Sequence, residues 1–530
     1  MTEQRQHSSS EYDSHQPNKQ NMERDADDSE LDTALTDMWE IALDNHMDPF
    51  DTQFHIAPAS VVYRVGATGI PGRFNHWTFG REYNKMMTEY NHGLSKIYEL
   101  VINSEPSIAF LLENNPPVYN KFIMAHVLGH TDFFKNNYQF GPTRRDMPAV
   151  VAGSASRIKD YESTEGALVV EQFIDATLSI EAHVDPFNRN RPGRTDELRL
   201  WKEQAKEQRS PERTYIGEFD DLWGARADTT EQDLGRKAIM QIPPEPDHDL
   251  LGFIRNHAPY LEDWQRDIVD IVRSEAMYFH PQRRTKIMNE GWAAYWHKRI
   301  MREMSEKGKL TGAENEDWWM LHSQVVAPNP KQLNPYYLGM KMYEYIEDYY
   351  NGHLTDEETA HLESKGVETY PSYEGPLKDS PAMSHLRDIM MRNDDQSFMR
   401  NYFNKIIADR MHMYIFDEIE TYPGGETIKV IRENGWEQVR DYLVNMLDNS
   451  GVPSIVVVNG DHNNTGGLHL RHEYDGRMLD PVYINKTLPY IYALWQRPVQ
   501  LDTVDSKTGK NIHYTHDGQK TTLKMSEPKK

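Results

Sequence analysis

The most informative stretch of this chain is His126-Val127-Leu128-Gly129-His130, read together with Asn289-Glu290-Gly291-Trp292. Two histidines at positions i and i+4 of an apolar helix, expected over 117–137, lie on one face and present two imidazoles to one metal ion. A carboxylate from a second helix completes a three-ligand site with an open position, as in hydrolytic zinc enzymes. We therefore predict that His126, His130 and Glu290 hold Zn²⁺ or another divalent metal inside a helical domain.

Two further acidic side chains lie on apolar helix faces. Glu171 is on such a face of the helix expected over 164–184, and Glu275 is on one of the helix expected over 259–279. An ionised carboxylate buried without a partner costs on the order of several kcal/mol, so each needs arginine, histidine or a metal beside it. For Glu171, structural ion pairs with arginine are the alternative interpretation.

Val127 occupies the position at which the H-E-x-x-H signature of zinc peptidases carries its catalytic glutamate. A metal site that lacks this residue needs a general base from elsewhere, and we assign the role to Glu171 or Glu275. His297 and Tyr295 lie on the helix that carries the glutamate ligand, and we expect one or the other to stabilise an oxyanion.

Composition excludes several classes of protein. The 530 residues are too many for one compact core, and a hydrophobic content of 38% is enough to build folded domains. The absence of cysteine excludes disulfides, thiolate nucleophiles and cysteine-based metal sites. A net charge of −25 argues against nucleic-acid binding. Without a long apolar run or an apolar leader we expect no integral membrane association and a cytoplasmic location, and oligomeric state is left open.

The chain is predicted to be mainly α, with a large helical domain around a buried polar centre and a small α+β domain at its C-terminal end. Residues 1–30 are polar and predicted to be disordered. The helical domain covers 31–420 and includes a charged, proline-rich arm over 186–249. The α+β domain covers 421–505, and 506–530 form a polar tail.

Individual elements follow from the periodicity of apolar residues. Helices are expected over 81–103, 105–114, 117–137, 164–184, 195–208, 259–279, 285–305, 316–323, 334–350 and 382–411. Strands at 428–431, 455–458, 468–472 and 498–504 and helices at 434–448 and 480–495 give a β-α-β-β-α-β order. The histidines between 461 and 472 would suit a second metal site, but glycines and asparagines at 463–467 favour a hairpin turn.

Four segments of the chain resemble the stage V sporulation protein R (SpoVR) family: Phe74 to Gly80, His126 to Asn137, Thr285 to His297 and Asn334 to Gly339. The resemblance runs from about residue 30 to residue 505. It implies a role in spore formation, in building the peptidoglycan of the spore cortex. In bacteria that do not form spores it implies a stress or stationary-phase role together with a serine protein kinase. No reaction comes with the family name.

A weaker resemblance concerns the chemistry. Asn289-Glu290-Gly291-Trp292-Ala293 is similar to the segment in which gluzincin aminopeptidases place their third zinc ligand, although the separation from His130 is far longer here. Two functions remain open. The first is a metal-dependent hydrolase of peptides or peptidoglycan precursors. The alternative is a non-catalytic regulatory or scaffold protein that acts with a serine protein kinase and docks its partners through the arm over 186–249.

Overall fold

The computed structural model describes residues 19–92, 99–207, 242–328, 332–420, 427–433 and 435–527. Helices dominate the chain up to about residue 410, and a five-stranded sheet with one long helix forms its C-terminal part, which confirms the predicted fold class. Residues 1–18 of the segment predicted to be disordered and residues 208–241 of the predicted arm lie outside the described residues.

The helices are α1 (Lys19–Asp44), α2 (Ala59–Thr68), α3 (Trp77–Asn91), α4 (Pro117–Asn136), α5 (Met147–Tyr161), α6 (Ala167–Leu178), α7 (Arg194–Glu207), α8 (Leu250–His257), α9 (Asp263–Arg284), α10 (Lys286–Glu306), α11 (Gly312–Val325), α12 (Pro335–Tyr350), α13 (Asp356–Ser364), α14 (Pro381–Arg392), α15 (Asp395–Tyr402), α16 (Lys405–Arg410), α17 (Trp436–Leu447) and α18 (Pro481–Trp495). The strands are β1 (Thr52–Ala57), β2 (Leu100–Ile102), β3 (Ser107–Leu112), β4 (Ile415–Glu420), β5 (Thr427–Glu433), β6 (Ile455–His462), β7 (Gly467–His472), β8 (Val499–Val504), β9 (Asn511–His516) and β10 (Thr521–Ser526).

Helices α4, α10 and α12 form the centre of the large core, and glycines let their backbones touch. A Cβ atom on Gly129 of α4 would lie 2.6 Å from the Cα of Ala293 on α10. On the other side of α10, a Cβ on Gly291 would lie 2.4 Å from the Cα of Gly339 on α12. Contacts this close leave no room for a larger residue, so they fix the distance between the helices that carry the predicted ligands.

Two buried aspartates fix where α10 begins and how it is rotated. Asp395 accepts the backbone N–H groups of Ile287 and Met288 at 2.8 Å each, which satisfies free donors in the first turn of the helix. Asp132 on α4 accepts the indole N–H of Trp292 at 2.8 Å. Because both contacts involve residues of the Thr285–His297 segment, they hold Glu290 at a defined position against α4.

The C-terminal sheet has the strand order β10-β9-β8-β7-β6, with β7 and β8 parallel and the other pairs antiparallel. One face carries alternating apolar residues that are fully or nearly fully buried against α18 and the helical part of the chain: Leu468, Leu470, Val499, Leu501, Ile512 and Tyr514. This alternation is the pattern of an antiparallel sheet with one covered face.

Several predicted elements differ from the structure. The helix predicted over 105–114 is wrong, because Ser107–Leu112 forms β3, in the order β1-β3-β2. A run of six mostly apolar residues fits a buried strand and a helical turn equally well, and periodicity does not separate them. The helix predicted over 81–103 ends at Asn91. Residues 511–516 and 521–526 of the predicted tail form β9 and β10.

The long helix predicted over 382–411 is interrupted twice in the structure, giving α14, α15 and α16. Asp394 and Asn404 each accept a backbone N–H of the helix that follows, so each starts a new helix as an N-cap residue. Within the described ranges, no helix combines the length and the apolar composition needed to cross a membrane.

Candidate metal centre

Four side chains from three parts of the chain converge on one point. Glu99, His126, His130 and Glu290 each place one nitrogen or oxygen atom so that all four atoms lie within 4.8 Å of one another. The Nε2 atom of His126 lies 3.5 Å from Glu99 and 3.8 Å from Glu290, and the Nε2 atom of His130 lies 3.4 Å from Glu290. In a tetrahedral zinc site with ligand bonds of about 2.1 Å, neighbouring donor atoms are about 3.4 Å apart. The cluster therefore has the dimensions of a metal site.

The packing of the helices and strands positions each residue of the cluster. His126 and His130 share one face of α4, because they are one helical turn apart. Glu290 faces them from α10, which the Gly129 contact holds close to α4. Glu99 directly precedes β2, which pairs with β3 in the three-stranded sheet. No single sequence motif contains all four.

Two of the donor atoms are buried and form no hydrogen bond among the described residues. They are the Nε2 atom of His126 and the Oε2 atom of Glu290, whose residues are 1% and 5% exposed. A buried polar atom without a partner costs on the order of 1–3 kcal/mol. A cation between the four side chains would satisfy both atoms, so the residues present fit a metal.

Hydrogen bonds behind the cluster orient both imidazoles. The Nδ1 atom of His130 lies 2.9 Å from the Oδ1 atom of Asn289. An amide oxygen only accepts, so His130 donates from Nδ1 and keeps the lone pair of Nε2 directed at the cluster. Metal-binding histidines typically donate their other ring N–H to such a partner.

His126 is supported by two further histidines. Its Nδ1 atom lies 2.7 Å from Nδ1 of His297, and Nε2 of His297 lies 2.7 Å from Nδ1 of His322. Burial lowers the pKa of His297 well below its usual value, and burial lowers that of His322 to about 4. Both rings are therefore neutral, and each can donate from one nitrogen and accept at the other, so the three histidines are joined in a chain by two hydrogen bonds.

The charges of the cluster also favour a cation. Burial raises the pKa of Glu290, but the two neighbouring histidines and the charge of Lys286 outweigh burial and bring it well below its usual value. Burial raises the pKa of Glu99 too, and the charge of His126 outweighs this and lowers it. Both carboxylates are thus ionised. Burial lowers the pKa of His126, but the two carboxylates outweigh burial and raise it to about 9. A divalent cation would replace the proton that His126 then carries and neutralise the cluster.

Two polar groups contact the carboxylates from outside the ligand set. The hydroxyl of Tyr336 donates to Oε1 of Glu99 at 2.7 Å. The ammonium of Lys286 lies 2.5 Å from Oε1 of Glu290, and its side chain is 59% exposed. Glu99 is 16% exposed at its side chain, against 1% for His126. The centre therefore opens towards Glu99 and is closed on the side of α4.

The structure brings some of the predicted site residues together and separates others. His126, His130 and Glu290 meet, and His297 lies directly behind His126. The Tyr295 hydroxyl instead donates to Glu347 at 2.7 Å.

The two predicted bases lie outside the four-residue cluster. Glu275 forms an ion pair with Arg73 at 2.7 Å. Glu171 lines a different cavity, near His76. Sequence reasoning missed Glu99, which carries no pattern, and Asn289, which stands next to Glu290 in the quoted segment.

Comparison with known proteins identifies the family. The family model described as SpoVR like protein matches residues 25–452, and the model described as SpoVR-like C-terminal domain matches residues 453–506. The chain therefore belongs to the SpoVR family, which confirms the resemblance seen in its motifs. A relative from Escherichia coli (strain K12), described as uncharacterized protein YcgB, is 27% identical over 487 residues, 89% of this chain and 91% of the relative. No solved structure matches the chain.

Proposed function

We propose that this protein is a metal-dependent hydrolase, with His126, His130 and Glu290 as ligands of Zn²⁺ or a similar divalent cation. The observation that carries the proposal is a pair of buried donor atoms, on His126 and Glu290, that lie 3.8 Å apart and find no hydrogen-bond partner in the part of the chain that the structure describes. Structural side chains in a core are normally paired. Atoms left unpaired at ligand distance from one another are the feature expected of a metal site.

Val127 stands where the zinc-peptidase motif has its general base, and Glu99 would serve as the general base instead. Such a cation would act as a Lewis acid and lower the pKa of water at its open position. The carboxylate of Glu99 lies 3.5 Å from Nε2 of His126, is the most exposed of the four, and is ionised, so it would be suited to accept a proton from water bound to such a cation. Tyr336, which donates to Glu99, holds the carboxylate in place.

The substrate class and the setting come from the family. Its name implies formation of the spore cortex, so we propose a peptide or peptidoglycan precursor as substrate. A cytoplasmic location fits such a precursor.

A second function is favoured by one distance. Glu99 lies 3.5 Å from Nε2 of His126, which is also the spacing expected if it binds the metal as a fourth ligand. Four protein ligands close a zinc site, and closed sites are structural. In that case the protein would be a regulatory or scaffold protein, acting with a serine protein kinase, whose core is held together by metal.

Elemental analysis of the full-length protein, purified without added metal, tests the proposal. We expect one divalent ion per chain in the natural protein and in Glu99→Gln, and little in His130→Ala or Glu290→Gln. His257→Ala is the matched control, because His257 is a buried histidine paired with a carboxylate, Glu197 at 2.7 Å, outside the cluster. A natural protein without stoichiometric metal would contradict both functions.

Activity then separates the two functions. Glu99→Gln should keep its metal and lose hydrolysis of peptide and peptidoglycan-precursor substrates by about 100-fold or more. Loss of the metal in Glu99→Gln would instead identify Glu99 as a ligand and favour the structural role. Retention of iron with consumption of O₂ would contradict a hydrolase, because two histidines and one carboxylate also suit non-haem iron enzymes.

A further inference from the structure

A cavity apart from the metal centre lies between α2, α3 and α6. Residues of the Phe74–Gly80 segment line it, and none of them belongs to the metal cluster. Its volume is about 400 Å³, which falls within the range of roughly 300–1,000 Å³ seen for ligand pockets. The residues that line it come from two consecutive helices and one distant in sequence, such as Arg64 on α2, Tyr83 on α3 and Glu171 on α6.

Trp77 is an exposed aromatic residue held in one orientation. It is 49% exposed, yet its indole N–H donates to Oδ1 of Asp175 at 2.7 Å. The guanidinium of Arg81 lies 5.1 Å from the centre of its ring. A large ring that is fixed before a ligand arrives loses little conformational entropy on binding, which is a property of aromatic residues in binding sites.

The residue that supports this arrangement is itself incompletely paired. His76 has a fully buried side chain, and its Nδ1 atom lies 2.7 Å from the hydroxyl oxygen of Thr78. Its Nε2 atom lies 3.3 Å from Oδ1 of Asp175 but forms no hydrogen bond among the described residues. His76 borders the cavity and the half-buried Asp175 binds Trp77, so these two residues position the wall of the cavity.

The polar groups of the cavity limit the chemistry of its ligand. Glu162 and Glu171 supply two carboxylates and Asn75 an amide, against one guanidinium from Arg64. Excess negative charge disfavours phosphorylated or other polyanionic ligands. Glu162 begins a π-helical turn, Glu162–Gly166, and such turns are frequent at functional sites.

We propose that this cavity binds a neutral saccharide, with a sugar ring stacked on Trp77 and its hydroxyls donating to Glu162 and Glu171. A pyranose has an apolar face of C–H groups and a rim of hydroxyl groups. It therefore matches a fixed indole beside carboxylates and an amide better than a purely apolar or an anionic ligand does. The binding site is separate from the metal centre and does not depend on the proposed hydrolysis.

Titration of the full-length protein with cellobiose and with N,N′-diacetylchitobiose, followed by saturation-transfer NMR and calorimetry, tests the proposal. We expect saturable binding of at least one of them. Trp77→Ala and Glu171→Ala should each weaken binding by about tenfold or more. Trp319→Ala is the matched control, because Trp319 is 42% exposed on α11 and lies outside the cavity.

The outcomes are separable from those of the metal experiments. Circular dichroism and metal content should be unchanged in Trp77→Ala and Glu171→Ala, so that lost binding is not lost folding. The proposal would be overturned if neither disaccharide showed saturable binding. Equal affinity in Trp77→Ala would also overturn it, and so would preferential binding of spermidine, which would assign the carboxylates to a cationic ligand.

Discussion

The Nδ1 atoms of His126 and His297 lie 2.7 Å apart, so one of these two buried rings donates a proton to the other. The pKa of His126 is raised to about 9, so its Nδ1 atom carries a proton and donates it to His297. His297 is neutral, so it accepts at Nδ1 and can donate from Nε2 to His322. His126 is therefore the donor, and its remaining nitrogen, Nε2, is directed at Glu99 and Glu290. The hydrogen bond from Nδ1 of His126 therefore orients its Nε2 atom for binding a metal.

Replacing His297 should weaken the metal site without removing a ligand. In His297→Leu the volume is nearly kept but His126 loses the acceptor of its Nδ1 proton. Outer partners of this kind typically contribute about 10- to 100-fold to metal affinity, and we expect a loss in that range. Competition with a chromophoric chelator measures it. His257→Leu should bind metal like the natural protein, and an unchanged affinity in His297→Leu would show that the chain of histidines is only structural.

The glycine contacts of α10 should be indispensable for stability. Gly291→Ala places a Cβ atom 2.4 Å from the backbone of Gly339, so α10 and α12 must separate. Overpacking of this kind costs about 1–3 kcal/mol, and we expect the free energy of unfolding in urea to fall by at least that amount.

Gly153→Ala is the matched control for the glycine experiment. Gly153 lies within helix α5, and a Cβ atom on it would meet nothing within 4 Å. Alanine is favoured over glycine in a helix interior, so this variant should be more stable by about 0.5–1 kcal/mol. Equal stabilities of the two variants would contradict the close contact of α10 and α12.

Local and tertiary features of this chain differ in how far the sequence predicts them. His126 and His130 follow from helical periodicity alone, and Glu290 follows from a motif with a known role. Glu99 cannot be predicted in this way, because it reaches the cluster only through the β1-β3-β2 sheet. The central strand of that sheet is β3, for which the sequence pattern predicts a helix. In Asn511–His516 the larger apolar residues, Ile512 and Tyr514, alternate with polar residues, which is a pattern that predicts a strand. The structure buries every second residue of this segment.

The stability of the protein should depend on pH through Glu275. Burial raises the pKa of this carboxyl to about 6, more than Arg73 lowers it, against 4.5 for the exposed group. Between these two pH values the unfolded chain is ionised while the folded chain holds its proton, so stability falls as pH rises and is constant above about 6. The fall is about 2 kcal/mol.

The variant Glu275→Gln isolates this effect. Glutamine does not titrate, so the free energy of unfolding of the natural protein, relative to that of the variant, should decrease between pH 4.5 and pH 6. Urea unfolding at half-unit intervals of pH measures both proteins under the same conditions. Parallel curves would show that Arg73 keeps Glu275 ionised throughout. Metal content should be the same in both proteins, because Glu275 lies outside the cluster.

Added metal should stabilise the folded protein only when the cluster is intact. A ligand that binds the folded state alone stabilises it by about 2.7 kcal/mol at a free concentration 100 times its dissociation constant. After treatment with a chelator, the natural protein should therefore unfold at a higher temperature when Zn²⁺ is restored. Glu290→Gln replaces an ionised ligand whose Oε2 atom forms no hydrogen bond with any residue that the structure describes, so it should show no such increase. The control His257→Ala should respond to Zn²⁺ like the natural protein. An equal response in Glu290→Gln would place the stabilising metal elsewhere in the molecule.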